Sequence, residues 1–193
     1  MILSLGAPVP AMAQHAGLPV ASARASAGFV AFPELAEVGV SFELVGGVNL
    51  PIWSVDEPAP REGWGMTIEG GALINAGGQL GLVGHGLVTV GVDYQFEWLA
   101  VGPVATAFVG WGPRELSVGG RLGVRVEALL GIFGLDVSCD GRAYDGRALF
   151  GVDVRLALDL GAAIHILVGL TGGGLPPPTD SSRRARSIHA LAS

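Results

Sequence analysis

Apolar and polar residues alternate along most of the chain from Glu37 to Leu170, and a period of two predicts β-strands with two different faces. The clearest case is Leu80–Trp98, in which every even position is apolar or Gly and the odd positions include His85 and Asp93. No segment predicts a helix. The pattern therefore predicts an all-β protein of about eight antiparallel strands: Glu37–Val45, Trp64–Asn75, Leu80–Trp98, Pro103–Trp111, Leu116–Ala128, Ile132–Cys139, Arg147–Leu160 and Ala162–Leu170.

The stretches without alternation give the predicted boundaries. Residues 1–33 are predicted to be a signal-peptide remnant and a linker, residues 34–170 the β-barrel, and residues 171–193 a disordered tail of Gly, Pro, Ser and Arg. Gly46–Gly63 is rich in Pro, which excludes a central strand, so a long loop is expected there. Asn75–Gly78 predicts a turn.

The charged residues of the predicted strands share one face, and the apolar residues hold the other. In a soluble sandwich or lipocalin-like barrel the charged face meets water, whereas in an outer-membrane barrel the apolar face meets lipid and the polar face lines the lumen. The polar face is diluted with Gly, as a narrow lumen requires. Its charges are Glu43, Glu69, Asp93, Glu97, Arg121, Arg125, Glu127, Asp136, Arg147, Asp153, Arg155 and Asp159.

Charges enclosed in a narrow lumen need partners of opposite sign, so these residues predict a network of ion pairs. Acidic residues outnumber Arg on this face, which leaves a cation-attracting lumen as the alternative. The predicted members of the lumen charge network are Glu43, Glu69, Asp93, Glu97, Arg121, Arg125, Glu127, Asp153, Arg155 and Asp159.

Aromatic residues gather near the ends of the predicted strands, on the apolar face. Aromatic rings prefer the two interfaces of a membrane and form girdles there. Ordinary packing in a soluble sandwich is the alternative explanation. The predicted membrane-interface aromatics are Tyr94, Phe96, Trp98, Trp111, Phe133 and Phe150.

Composition narrows the class of protein further. The chain has 193 residues, which fits one domain, and only 15% of them are charged although half are apolar. A net charge of −6 argues against a nucleic-acid-binding protein, and all the basic residues are Arg. The sequence has no run of about 20 apolar residues, so no membrane-spanning helix is predicted. Cys139 is the only Cys, so no intramolecular disulfide is possible.

The first residues predict export. Met1–Ala13 contains an apolar stub at Ile2–Leu5 and a small-x-small pattern at Ala11–Ala13, as signal peptides do, although a basic start is missing. A periplasmic N-terminus would place the loop 46–63 outside the cell and the turn 75–78 inside. The alternative is an Ala- and Pro-rich disordered leader.

Over residues 37–170 the chain resembles the small eight-stranded outer-membrane β-barrel proteins of Gram-negative bacteria. Asp159–Ile166 fits the assembly signal that such barrels carry in the last strand, but the closing aromatic is missing and a tail follows. The resemblance implies a transmembrane, antiparallel up-and-down barrel in the outer membrane, with the lipid bilayer and the barrel-assembly machinery as partners. A soluble, exported β-sandwich or lipocalin-like protein that binds a small ligand, in the periplasm or outside the cell, is the alternative.

No catalytic, cofactor or metal site is expected. A Ser-His-acid triad needs a Ser beside the His. No Ser is near His85 or His165 in the sequence. Leu87 and Leu167 stand where the lipid A deacylase pattern would place a Ser. The charged residues of the loop and of the tail are expected to be solvated, with an external partner, a cation or anionic lipid as alternatives: Asp56, Glu57, Arg61, Glu62, Arg183, Arg184 and Arg186. The sequence thus predicts a barrel with a structural or interaction role.

Overall fold

Eight antiparallel strands form a closed up-and-down barrel in which each strand pairs with its neighbours in sequence and β1 pairs with β8. The predicted fold class is confirmed. The structure is a computed structural model that describes residues 20–52, 62–77, 81–96, 99–111, 116–129, 131–144 and 146–170. The strands are β1 (Val20–Phe32), β2 (Glu37–Pro51), β3 (Glu62–Gly77), β4 (Gly81–Phe96), β5 (Leu99–Trp111), β6 (Leu116–Ala128), β7 (Phe133–Tyr144) and β8 (Arg147–Asp159). A short 3-10 helix, Pro33–Leu35, joins β1 to β2, and a helix, α1 (Leu160–Leu170), follows β8.

The first strand lies where a linker was predicted, so the predicted start of the barrel at residue 34 is wrong. β1 pairs with β2 from Val20 to Phe32 and with β8 from Arg24 to Ala31. Its outward positions are mostly Ala, which has little preference for strands and contrasts weakly with the inward Ser22 and Ser26. The alternation is therefore present in β1 but hard to recognise. Residues 1–19 and 171–193 lie outside the described residues.

The predicted last strand, Ala162–Leu170, is wrong as well, because this segment forms most of α1. Asp159 Oδ1 accepts a hydrogen bond from the Ala162 N–H at 3.0 Å, which caps the first turn of the helix. A short apolar run cannot be assigned to strand or helix by periodicity alone. Most of the proposed assembly signal, Asp159–Ile166, is thus helical. No helix among the described residues has the length and hydropathy needed to cross a membrane.

The two ends of the barrel differ. At the terminal end, β1 begins and β8 ends; at the turn end, strands are joined by short connections, such as Pro33–Ala36 between β1 and β2. Because β1 precedes β2, the long connection from β2 to β3 starts and finishes at the terminal end. The prediction that this loop lies opposite the N-terminus is therefore wrong. The loop is also shorter than predicted, since β2 extends to Pro51 and β3 begins at Glu62.

The inside of the barrel contains two apolar clusters and a larger polar region. Side chains alternate between the inside and the outside along every strand, as the pleat requires. At the turn end, Val30, Phe32, Val83 and Leu149 pack together. The second cluster, deeper in the barrel, contains Val45, Leu73, Leu87 and Phe108.

Candidate functional site: a charged interior within an apolar wall

The outer wall of the barrel is apolar over the whole described chain. Among the strand residues described as exposed, Arg147 is the only charged one, and it stands at the first position of β8, at the turn end. Large aliphatic side chains such as Leu44, Leu122 and Leu156 are 66–70% exposed on the wall. The barrel therefore has the opposite distribution to a water-soluble protein: apolar residues outside and charged residues inside.

Aromatic side chains stand near both ends of this wall. Trp111 and Phe150 are exposed near the turn end, and Phe133 is exposed near the terminal end. Tyr94 also lies near the terminal end, where its ring packs edge-on against Trp64 at 5.1 Å between centroids. The alternation in β3 contained the signal for Trp64, which was not included in the predicted set.

The structure does not describe the side chains of two predicted aromatic residues, Phe96 and Trp98. Phe96 is the last residue of β4, at the terminal end, and Trp98 lies outside the described residues. Those predicted aromatic residues that are described therefore lie close to strand ends, as the sequence indicated. Their role at a membrane interface stays a prediction.

Arg121 is the centre of one half of the charged interior. Its Nη2 donates to Glu43 Oε2 at 2.5 Å, and its Nη1 donates to Asp153 Oδ2 at 2.9 Å. Arg155 also donates to Glu43, and its Nε lies 3.4 Å from Asp153 Oδ2. All four residues are at most 5% exposed. Each carboxylate thus has two guanidinium groups beside it, which offsets the cost of burying the charge.

Arg125 and Arg24 organise the other half, nearer the terminal end. Arg125 donates from Nε to Asp136 Oδ1 at 2.9 Å and from Nη1 to Glu69 Oε2 at 3.1 Å. Arg24 donates to Glu127 and lies within 4 Å of Glu69 and Asp136. Asp136 also lies 3.6 Å from Arg155, which joins the two halves. The nine residues of this lumen charge network are Arg24, Arg121, Arg125, Arg155, Glu43, Glu69, Glu127, Asp136 and Asp153.

The remaining predicted members lie at the edge of the network or beyond it. Ser22 Oγ lies 2.8 Å from Asp159 Oδ2 and 3.0 Å from Glu69 Oε1, so this hydroxyl connects Asp159 to the network. Asp93 lines a cavity of about 10 Å³ together with Arg125 and Glu127, which has room for about one water molecule. Glu97 lies outside the described residues.

The prediction omitted Arg24 and Asp136 from the network. Arg24 was missed because its strand was assigned to the linker. Asp136 had been placed on the polar face, but its position in the sequence does not indicate which Arg it meets. The structure shows that it lies opposite Arg125 on β6 and Arg155 on β8, since β7 pairs with both strands.

A second polar layer lies nearer the turn end. Arg142 pairs with Asp140 through two hydrogen bonds, one of them 2.9 Å long, and its guanidinium lies 4.7 Å from the ring centroid of Phe32. The sequence pattern predicts that this strand ends at Cys139. β7 instead continues to Tyr144, which places Asp140 and Arg142 inside the barrel.

His85 meets a Ser after all, since its Nε2 lies 3.1 Å from Ser117 Oγ. β5 stands between the two strands, and Gly110 of β5 pairs with both residues, so only the tertiary structure brings them together. His85 Nδ1 has no hydrogen-bond partner among the described residues, so the pair lacks the carboxylate of a triad. His85 is 3% exposed and Ser117 is fully buried. A substrate therefore has no access to this hydroxyl in the structure.

The described interior consists largely of ion pairs and apolar clusters. No group of three or more His, Cys, Asp or Glu side chains among the described residues is arranged to hold a metal ion. The charged side chains form ion pairs with one another, and the two apolar clusters occupy other parts of the described interior. An eight-stranded barrel is narrow enough for side chains to fill it in this way.

Comparisons with known proteins found no match. No protein-family model, no curated protein and no solved structure matches the chain.

Proposed function

We propose that this chain is an integral β-barrel protein of the bacterial outer membrane, with a structural or interaction role and an interior closed by side chains. The observation that carries the proposal is the outer wall: among the described strand residues, the only exposed charged one is Arg147, at the first position of β8. Monomeric soluble proteins rarely expose contiguous apolar patches larger than a few hundred Å². A wall that is apolar around the barrel fits lipid as its solvent.

The dimensions of the strands support this proposal. The shortest strand, β7, has 12 residues and β1 has 13. At ~3.3 Å per residue and a tilt of ~40°, 12–13 residues rise about 30 Å along the barrel axis. The apolar band of outer-membrane barrels is ~25 Å high. The strands are therefore long enough to cross it, with the exposed Trp111 and Phe133 near its two borders.

A soluble lipocalin-like protein would need the opposite arrangement of faces. Such a protein exposes polar side chains to water and keeps an apolar cavity for its ligand. Here the ion pairs lie inside, and Leu122 and Leu156 are among the most exposed side chains. The closed barrel also differs from a two-layer sandwich. The lipid-facing proposal thus accounts for both faces, whereas the soluble alternative accounts for neither.

The interior favours a structural or interaction role over transport or catalysis. Four Arg side chains meet five carboxylates in the lumen charge network, so its charges are nearly balanced. A cation-attracting lumen would need carboxylates that face water. Glu43, Glu69 and Asp153 are instead at most 5% exposed. We therefore propose that the protein acts through its outer surfaces.

The proposed location follows from the wall and from the N-terminal sequence. Met1–Ala13 resembles an export signal, and a barrel with an apolar wall needs a membrane in which to fold. The proposed partners are the lipid bilayer and, during insertion, the barrel-assembly machinery. No nucleic-acid partner is proposed for a chain of net charge −6.

The test compares two Leu→Arg variants in the same strand, in a Gram-negative host. Leu122 is 70% exposed in the middle of β6, and Leu116 is 44% exposed at its first residue. Arg at mid-depth in lipid costs about 2–4 kcal/mol, but only about 0–1 kcal/mol near the interface. Leu122→Arg is expected to reduce the amount of folded barrel in washed outer membranes, measured by heat-modifiable gel mobility. Leu116→Arg is expected to leave it close to wild type.

The soluble alternative predicts different results. In water an outward Arg is harmless at either position, so both variants would fold equally well. Recovery of the wild-type protein in the soluble periplasmic fraction without detergent would overturn the membrane proposal.

A further inference from the structure

One corner of the barrel, at the terminal end, is left open by the strand pairing. β8 pairs with β1 only as far as Arg24, because β8 ends at Asp159. The first residues of β1, Val20–Ala23, therefore have β2 on one side and none of the described strands on the other. An unpaired strand edge is costly in contact with lipid, since its backbone groups have no water to bind.

The first turn of α1 is attached to this edge through Asp159. Asp159 Oδ1 accepts hydrogen bonds from the Ala23 N–H at 3.3 Å and from the Ala162 N–H at 3.0 Å. Its Oδ2 accepts the Ser22 hydroxyl at 2.8 Å. At Gly161 the helix comes so close that a Cβ would stand 2.6 Å from the Ala21 carbonyl oxygen. One carboxylate thus holds both the open edge and the start of the helix.

The other side of α1 is apolar and exposed. Leu160, Ile164 and Leu167 are 47%, 62% and 61% exposed, and their spacing of four and three residues places them on one face of the helix. The sequence of α1 contains no Lys, Arg, Asp or Glu. The face begins at Leu160, two residues after Leu158, an exposed residue of the apolar wall, so the two apolar surfaces are close along the chain.

We propose that α1 is an interfacial helix that covers the open corner of β1 and lies with its Leu160–Ile164–Leu167 face in the lipid leaflet at the terminal end. The inference rests on the proposed membrane function and extends it to α1, an element that does not cross the bilayer. The closeness of this face to the apolar wall along the chain identifies lipid as its occupant, rather than a second copy of the chain. The exposed Phe133 and Trp64 stand at the same end of the barrel, where aromatic side chains favour the membrane interface.

The experiment measures the depth of a fluorescent label in vesicles. Cys139 is first replaced by Ala, and one Cys is then introduced by Leu167→Cys in α1, Leu122→Cys in the wall or Pro33→Cys in the 3-10 helix. Each protein is labelled with an environment-sensitive dye and folded into phosphatidylcholine vesicles that contain a nitroxide at the fifth or the twelfth acyl carbon. The label at position 167 is expected to lose fluorescence most with the shallow quencher, and the label at position 122 with the deep one. The label at position 33 is expected to lose little with either.

The outcomes separate the two proposals. Quenching at position 122 without quenching at position 167 would overturn the interfacial helix and leave the membrane barrel intact. No quenching at position 122 would overturn both. Oxidative cross-linking of Leu167→Cys between copies, persisting at high lipid-to-protein ratio, would assign the face to a second copy and overturn the inference.

The role of Asp159 is tested in the same assay. Asp159→Asn keeps a side chain that caps helices well, whereas Asp159→Ala removes the acceptor. Asp159→Ala is expected to lower the quenching at position 167 while leaving position 122 unchanged, and Asp159→Asn to restore it. Equal quenching in all three proteins would show that Asp159 does not hold the helix on the edge.

Discussion

Buried arginines determine how the interior of this barrel is organised. Arg121 bridges Glu43 and Asp153, and Arg125 bridges Glu69 and Asp136. The pairs of Arg121 with Glu43 and Asp153, and of Arg125 with Glu69, connect strands that are not neighbours in sequence, whereas Arg125–Asp136 joins the paired strands β6 and β7. A buried pair gains little over an apolar pair of the same volume, but a buried charge without its partner is strongly destabilising.

This reasoning gives a prediction for Arg121. Arg121→Gln leaves Glu43 and Asp153 with less compensation and is expected to lower the free energy of unfolding by about 3–5 kcal/mol. The double variant Arg121→Gln with Glu43→Gln removes one of the stranded carboxylates and is expected to lose less. Unfolding in urea from detergent micelles, followed by Trp fluorescence, measures both. Equal losses in the two proteins would show that charge pairing is not what Arg121 contributes.

Among the elements, β1 and α1 are the two that local pattern assigned wrongly. The outward residues of β1 are mostly Ala, so its alternation is weak. The sequence of α1 is a short apolar run, which is also typical of a strand. β1 is decided by its pairing with the distant strand β8, and α1 by the cap from the adjacent Asp159 together with its contact with the distant strand β1. The errors cancel in the strand count, so the predicted number of strands was right although two of the assigned segments were wrong.

The prediction for β1 follows from its outward face. Ala25 is exposed on the wall, so Ala25→Asp is expected to block formation of the heat-modifiable barrel by placing a carboxylate in lipid. Ala36→Asp is the control, because Ala36 is exposed after the 3-10 helix in a left-handed conformation that Asp tolerates. Gel mobility without boiling measures the folded fraction. Normal folding of Ala25→Asp would mean that β1 is the linker that the sequence predicted.

At the scale of the whole molecule, the faces and the two ends define what the barrel can do. The charges of the lumen charge network are inside and nearly balanced, the wall is apolar, and β1 begins and β8 ends at the end of the barrel where β2 ends and β3 begins. The turn end has short connections and is closed inside by Val30, Phe32, Val83 and Leu149. The arrangement of connections differs from the expected one in which end of the barrel carries each connection, and the barrel fold itself is as predicted.

A filled interior predicts no conductance. The purified barrel, folded into a planar lipid bilayer, is expected to produce no current steps, because Arg142, Phe32 and the network below them block the lumen. A general porin in the same membrane is the positive control. Reproducible steps that increase in number with the amount of protein would restore the cation-attracting lumen.

The position of the termini predicts the orientation in the cell. With periplasmic termini, the turn end faces outward, so Pro33→Cys is expected to react with a membrane-impermeant maleimide on intact cells. Ile52 is exposed just after β2 at the terminal end, and Ile52→Cys is expected to react only after the outer membrane is permeabilised. Both are made in a Cys139→Ala background and detected by mass shift. The reverse pattern would place the turn end in the periplasm.

The sequence alone determined that the protein is all-β, that it has about eight strands, and which face most of the residues between Glu37 and Asp159 share. These properties depend on the period of two, which is local. Only the tertiary structure decided that β1 closes the barrel, that Arg24 belongs to the lumen charge network, that Ser117 meets His85, and that β2 ends and β3 begins at the terminal end. Each of these depends on which strands pair across the barrel, and a residue's local pattern contains no information about its partner many positions away.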